Sequence, residues 1–138
     1  MLPRVIIHNG VSADGRMDWY PGDEGLYYEI AGRFNADAML SGSNTMIAAY
    51  ATGPVSEEAE EYEPPQYEPG DTRQLLVIVD SRGRLRNLGR IRREPYWRDV
   101  VLMCSQATPK DYLDYLEKQH IDHIVAGYQT SWKIANSR

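Results

Sequence analysis

Residues 75–79 read Leu-Leu-Val-Ile-Val and run directly into Asp80-Ser81-Arg82-Gly83. An unbroken apolar run, rich in β-branched side chains and closed by a turn sequence, predicts a buried strand. Outward from it the same pattern recurs. Val100–Cys104 (Val-Val-Leu-Met-Cys), Ala38–Ser41 (Ala-Met-Leu-Ser) and Ile121–Ala126, which stops at Gly127, read as further strands. Arg4–Asn9 carries the trio Val5, Ile6 and Ile7 and predicts a first strand buried on both faces. Helix signals fall between these runs. Asp23 follows Pro21-Gly22 as an N-cap, ahead of Leu26, Ile30 and Phe34 at four-residue spacing, with Tyr27 and Ala31 widening the stripe. Met46–Tyr50 is a run of helix formers. Thr108-Pro109 places a threonine cap and a first-turn proline before Tyr112, Leu113 and Leu116. Strands alternating with helices predict an α/β fold, a mostly parallel sheet flanked by helices, in one domain over residues 1–138.

The composition narrows the partners. The chain has 138 residues, 42% of them hydrophobic and 25% charged, as an ordinary globular domain does. A net charge of -5 argues against nucleic acid as the main partner. The longest apolar runs are too short for a membrane span, and the N-terminus lacks the shape of a signal peptide, so a cytoplasmic protein is expected. A single cysteine, Cys104, excludes an internal disulfide framework and a four-cysteine zinc site, and at the end of a buried strand it reads as a small core hydrophobe. His8, His120 and His123 do not make a ligand spacing, so no metal is expected. Residues 54–71 hold seven carboxylates and no basic residue and read as a solvated loop. From Arg73 to Arg98 there are eight arginines against two carboxylates, which reads mostly as a solvated arginine face.

Two turns carry chemistry of their own. Gly42-Ser43-Asn44-Thr45 stands between a strand and a helix, where backbone N–H groups and the helix dipole suit an anion such as a cofactor pyrophosphate. A plain helix cap at Ser43 explains the same residues. Ser81 and Arg82 close a parallel strand, where ligands of α/β proteins gather. An arginine there can pair with the 2′-phosphate of NADP and a serine can add a hydrogen bond, which favours NADPH over NADH.

Three segments in order resemble one known family. Asn9-Gly10-Val11-Ser12-Ala13-Asp14-Gly15-Arg16, Gly42-Ser43-Asn44-Thr45 and Val79-Asp80-Ser81-Arg82 are similar to the Ser-x-Asp-Gly, Gly-x-x-Thr and Val-Asp-Ser-Arg turns of the riboflavin-biosynthesis reductase domain. The resemblance covers roughly residues 3–128 and implies a dihydrofolate-reductase-like fold. It implies NADPH-dependent reduction of a ribosylaminopyrimidine phosphate, with hydride delivered to the opened ribose carbon. Asn9, Ser12 and Asp14 would meet a small phosphorylated pyrimidine or pterin-like substrate, with Asp14 as its hydrogen-bond partner or proton donor. Asp14-Gly15 as a simple tight turn stays open beside that role. Gly10, Val11, Gly42, Ser43, Asn44, Thr45, Asp80, Ser81 and Arg82 would hold the cofactor. Trp19, Tyr20, Tyr27 and Tyr28 could wall a ring, or simply pack on a helix face.

The family continues with a Gly-Gly-x-x-Leu turn and the last strands of its sheet. This chain contains no Gly-Gly pair, and the stretch from Gln129 does not resemble the next helix of the family. The resemblance therefore implies a chain truncated at its C-terminus. Val5–Ile7 would then be an exposed edge, which favours a homodimer. A catalytically inactive nucleotide-binding or assembly module of the same fold is the alternative to the reductase.

Overall fold

The computed structural model describes residues 2–17, 21–50 and 68–127. Its elements are α1 (Glu24–Gly32), β1 (Ala38–Gly42), α2 (Ser43–Tyr50), β2 (Leu75–Val79), α3 (Leu88–Arg92), β3 (Asp99–Cys104), α4 (Lys110–Lys118) and β4 (Asp122–Val125). They fall into two compact units, Met1–Ala36 and Asp37–Arg138. The architecture is α/β with a four-stranded, all-parallel sheet and flanking helices, consistent with a dihydrofolate-reductase-like mostly parallel sheet. Trp19, Tyr20, most of the acidic stretch and the segment from Gln129 lie outside the described residues.

In the first unit, Asp23 caps α1 as the sequence predicts. Its backbone is extended, and its Oδ1 accepts from Leu26 N at 2.9 Å. Of the predicted apolar stripe only Ala31 is buried, while Leu26 and Phe34 stay 49% and 40% exposed. The strand predicted over Arg4–Asn9 does not form. Val5 and Ile7 are 77% and 85% exposed, and the segment joins no ladder. β-branched residues favour extended backbone, but a strand needs a partner to take its N–H and C=O groups. Here His8 supplies the anchor instead. Tyr27 Oη donates to His8 O at 3.1 Å, His8 Nε2–H donates to Tyr27 O at 3.2 Å, and the two ring centroids lie 4.4 Å apart. The expected edge at Val5–Ile7 is thus absent, and the edges of the described sheet are β1 and β4.

In the second unit the strands line up in chain order, β1-β2-β3-β4. Leu40, Val77, Val101 and Asp122 share one row, and Gly42, Val79, Met103 and Ile124 another. Period-two alternation sends Leu76, Ile78, Val100 and Leu102 to one face, where all four are fully buried. The intervening Leu75, Val77, Val79, Val101 and Met103 are only half-buried, so β2 and β3 are covered fully on one face.

The helices that close the covered face include one the sequence reading missed. Leu85, Leu88 and Ile91 recur at three-residue spacing among the arginines, and all are buried beside Trp97. Trp97 Nε1 donates to Ile91 O at 2.8 Å, which satisfies the indole where it enters the core. The arginine face is correspondingly narrower than expected. Arg92 pairs with Asp99 (Nε–Oδ1 2.9 Å) with side chains 10% and 3% exposed, and its Nη2 donates to His120 O at 2.6 Å.

Thr108 also departs from its expected role as a cap. Pro109 occupies the cap position of α4, and Thr108 Oγ1 accepts from Ser105 N and donates to Ser81 O, both at 2.9 Å. Cys104 is buried as expected. Desolvation, reinforced by the charge of Asp80, pushes its thiol up to about 11.

Before β2, Asp71 accepts from Arg73 Nε at 3.0 Å and from Arg73 Nη2 at 2.7 Å. These hydrogen bonds hold its carboxyl down at about 2 from an ordinary 3.8. A depressed folded value stabilises the fold above the ordinary value, and that contribution fades as pH falls from about 4 through about 2. Carboxyl-carbon NMR should give Asp71 a midpoint near 2, and Arg73→Ala should return it towards 3.8. An unmoved midpoint in the variant would remove Arg73 as the cause.

Candidate functional site

A crevice of about 320 Å³ opens at the carboxyl edge of β1 and β2. Gly42, Ser43, Asn44, Val79, Asp80, Ser81, Arg82 and Arg84 line it. Two local devices build it. β1 ends at Gly42 and α2 begins at once with Ser43, so the first backbone N–H groups of a helix stand at the strand terminus without intrahelical partners. No acidic residue occupies that first turn, so nothing competes with an incoming anion for the dipole.

Opposite, β2 ends at Val79 and a tight turn follows. Gly83 N donates to Asp80 O at 3.3 Å, and Asp80 Oδ2 accepts from Arg84 N and Leu85 N, each at 2.8 Å. The turn folds back on its own aspartate, so residues 81–84 stay at the strand end. Gly83 has φ +64, a conformation that side chains with a Cβ adopt at a cost.

The two sides meet through Arg84. Its Nη2 donates to Asn44 Oδ1, and it lies 3.3 Å from Ser43 Oγ. Arg82 is exposed at the rim. Two guanidinium groups, two serines and a helix N-terminus thus surround one opening. This set suits a multiply charged oxyanion, because fork-shaped donors and backbone N–H groups bind phosphate oxygens together.

Of the residues expected to hold a cofactor, Gly42, Ser43, Asn44, Asp80, Ser81 and Arg82 therefore line one crevice. Thr45 follows in the first turn of α2 and is not part of the lining. Asp80 stands there differently from the others. It is 1% exposed, and its Oδ2 serves its own turn. Arg84 was missed, having been read as part of the solvated arginine face. The signal was present: an aspartate at a strand end with glycine three residues later implies a turn tight enough to keep residue 84 beside residue 82.

Asn9, Gly10, Val11, Ser12 and Asp14 belong to the first unit. There Ser12 Oγ donates to Asp14 Oδ1 at 2.5 Å, Arg16 Nε pairs with Asp14 Oδ2 at 2.9 Å, and Gly15 N donates to Ser12 O at 2.9 Å. Asp14 and Arg16 are both mostly exposed. The segment is a self-capped turn whose carboxylate already has an internal donor and an internal cation.

Among the described residues no cluster of histidine, cysteine and carboxylate could hold a metal ion, and no helix is long and apolar enough to cross a membrane. No protein-family model matches the chain, and no curated protein matches it.

Proposed function

We propose that the crevice between α2 and the turn after β2 binds the phosphate-bearing end of NADPH. On this reading the chain is a reductase of the riboflavin-pathway type, reducing a ribosylaminopyrimidine 5′-phosphate. The observation that carries the reading is the convergence of Arg82, Arg84 and the N-terminus of α2 on one opening at the carboxyl edge of parallel strands. Ser43 and Asn44 offer backbone donors to a pyrophosphate, and Ser81, Arg82 and Arg84 offer hydroxyl and guanidinium donors to a 2′-phosphate. The bound nicotinamide would supply the hydride, and the protein would orient it. Asn9, Ser12 and Asp14 are proposed to meet the substrate, with Asp14 as proton donor, on the strength of the family resemblance. The exposed Leu40 of β1 and Ile124 and Val125 of β4, at 69%, 55% and 45%, support a homodimer joined along a sheet edge.

Fluorescence titration tests the cofactor assignment. The double variant Ser81→Ala, Arg82→Ala should weaken NADPH about tenfold more than NADH, the usual scale for losing hydrogen bonds to a charged group. Equal losses would remove both residues from the cofactor site. Oxidation of NADPH in the presence of a ribosylaminopyrimidine phosphate tests the reaction. Binding without turnover would point to the inactive nucleotide-binding module instead.

A further inference from the structure

The arms of the crevice are aimed from behind. Ser81 O accepts from Ser105 Oγ at 3.2 Å and from Thr108 Oγ1 at 2.9 Å, so two hydroxyls from the β3–α4 turn grip the peptide just before Arg82. Past Arg82, Asp80 Oδ2 grips the N–H groups of residues 84 and 85. Behind these lies Tyr112 of α4, 1% exposed. Gly83 packs flat against its ring, where an added Cβ would fall 2.6 Å from Cγ. The Arg86 guanidinium covers the same ring at 4.8 Å and donates to Gly83 O at 3.0 Å.

Two buried oxygens complete the arrangement. Asp80 Oδ1 and Tyr112 Oη are buried without a hydrogen-bond partner. Burial, reinforced by the charge of Asp80, raises the phenol above its ordinary range.

We propose that Tyr112 and Asp80 are positioning residues that set the selectivity of the crevice for a dianionic phosphate monoester, by fixing the turn from which Arg82 and Arg84 reach it. This rests on reading the crevice as a phosphate site. Neither residue needs to touch the ligand. Tyr112 shapes the turn through Gly83 and Arg86, and Asp80 ties its two ends together. If the turn relaxes, both guanidinium groups remain but no longer converge, and a second phosphate gains less than it should.

Calorimetry with 2′,5′-ADP and 5′-AMP, on the full chain, tests this. The unmodified protein should prefer 2′,5′-ADP. Tyr112→Leu, which removes the ring, should shrink that preference about tenfold while 5′-AMP affinity changes less than about threefold, and Asp80→Asn should shrink the preference in the same direction. Should Tyr112→Leu fail to fold, Asp80→Asn decides alone. A purely structural role would lower the melting temperature and weaken both nucleotides in parallel, and that result overturns the proposal. Unchanged preference in a folded Tyr112→Leu or Asp80→Asn protein also overturns it and leaves the phosphate reading intact. An unmodified protein that does not distinguish the two nucleotides overturns both.

Discussion

Replacing Arg92 with methionine is expected to cost about 3–5 kcal/mol of stability, the range for breaking a buried ion pair from one side. The guanidinium is 10% exposed and its partner Asp99 3% exposed, so water cannot take over much of the role of either. Asp99 Oδ1 also accepts from Val100 N at 2.7 Å, which ties the carboxylate to the start of β3. On the other side, Arg92 Nη2 holds the carbonyl of His120, the left-handed residue that turns α4 toward β4. One side chain thus joins α3, β3 and the α4–β4 turn. Urea unfolding of Arg92→Met measures the loss. A double variant with Asp99→Leu should recover most of it, because removing both charges avoids the uncompensated carboxylate. A single variant within about 1 kcal/mol of the parent, as at a surface pair, would show that the pair is effectively solvated.

Gly83→Ala is expected to cost about 3 kcal/mol, from a strained backbone and an overpacked ring together. With φ +64, any Cβ at this position is disfavoured. The new methyl would also fall 2.6 Å from Cγ and 2.9 Å from Cβ of Tyr112, atoms too near the helix backbone to swing aside. Either the turn lifts from α4 or α4 shifts. Chemical denaturation should show the loss, and near-ultraviolet circular dichroism should show a changed tyrosine environment. Parental stability in the variant would mean that the turn is not seated on the ring.

The strands were the most legible part of the sequence. Leu75–Val79 and Val100–Cys104 lie in the middle of a parallel sheet, so their apolar runs are long and closed by turn residues. Val5-Ile6-Ile7 carries the same local signature without forming a strand, because pairing is a property of two segments and the pattern of one cannot report it. Helix α3 was hidden for the opposite reason. Its apolar positions, Leu88 and Ile91, are separated by Gly89 and Arg90, it is short, and Asn87 before it makes no side-chain cap bond. At the crevice, Gly42–Asn44 and Asp80–Arg82 were readable because each follows the end of a parallel strand, where backbone and side-chain donors gather at the sheet edge. Arg84 needed the turn geometry. The seat that Tyr112 offers to Gly83 crosses 29 residues of chain, beyond any local pattern.

Because β1 pairs only with β2 in the described sheet, and its residues alternate between exposed and half-buried, its hold on the rest is one-sided. Such a border strand is the first place for local opening. The crevice straddles that seam: Gly42–Asn44 stand on its outer side and Asp80–Arg84 on its inner side. An anion bridging the two would act as a rivet. Occupancy would slow fraying of the outer strand and its helix, coupling the ligand to the persistence of the fold at its least secured margin.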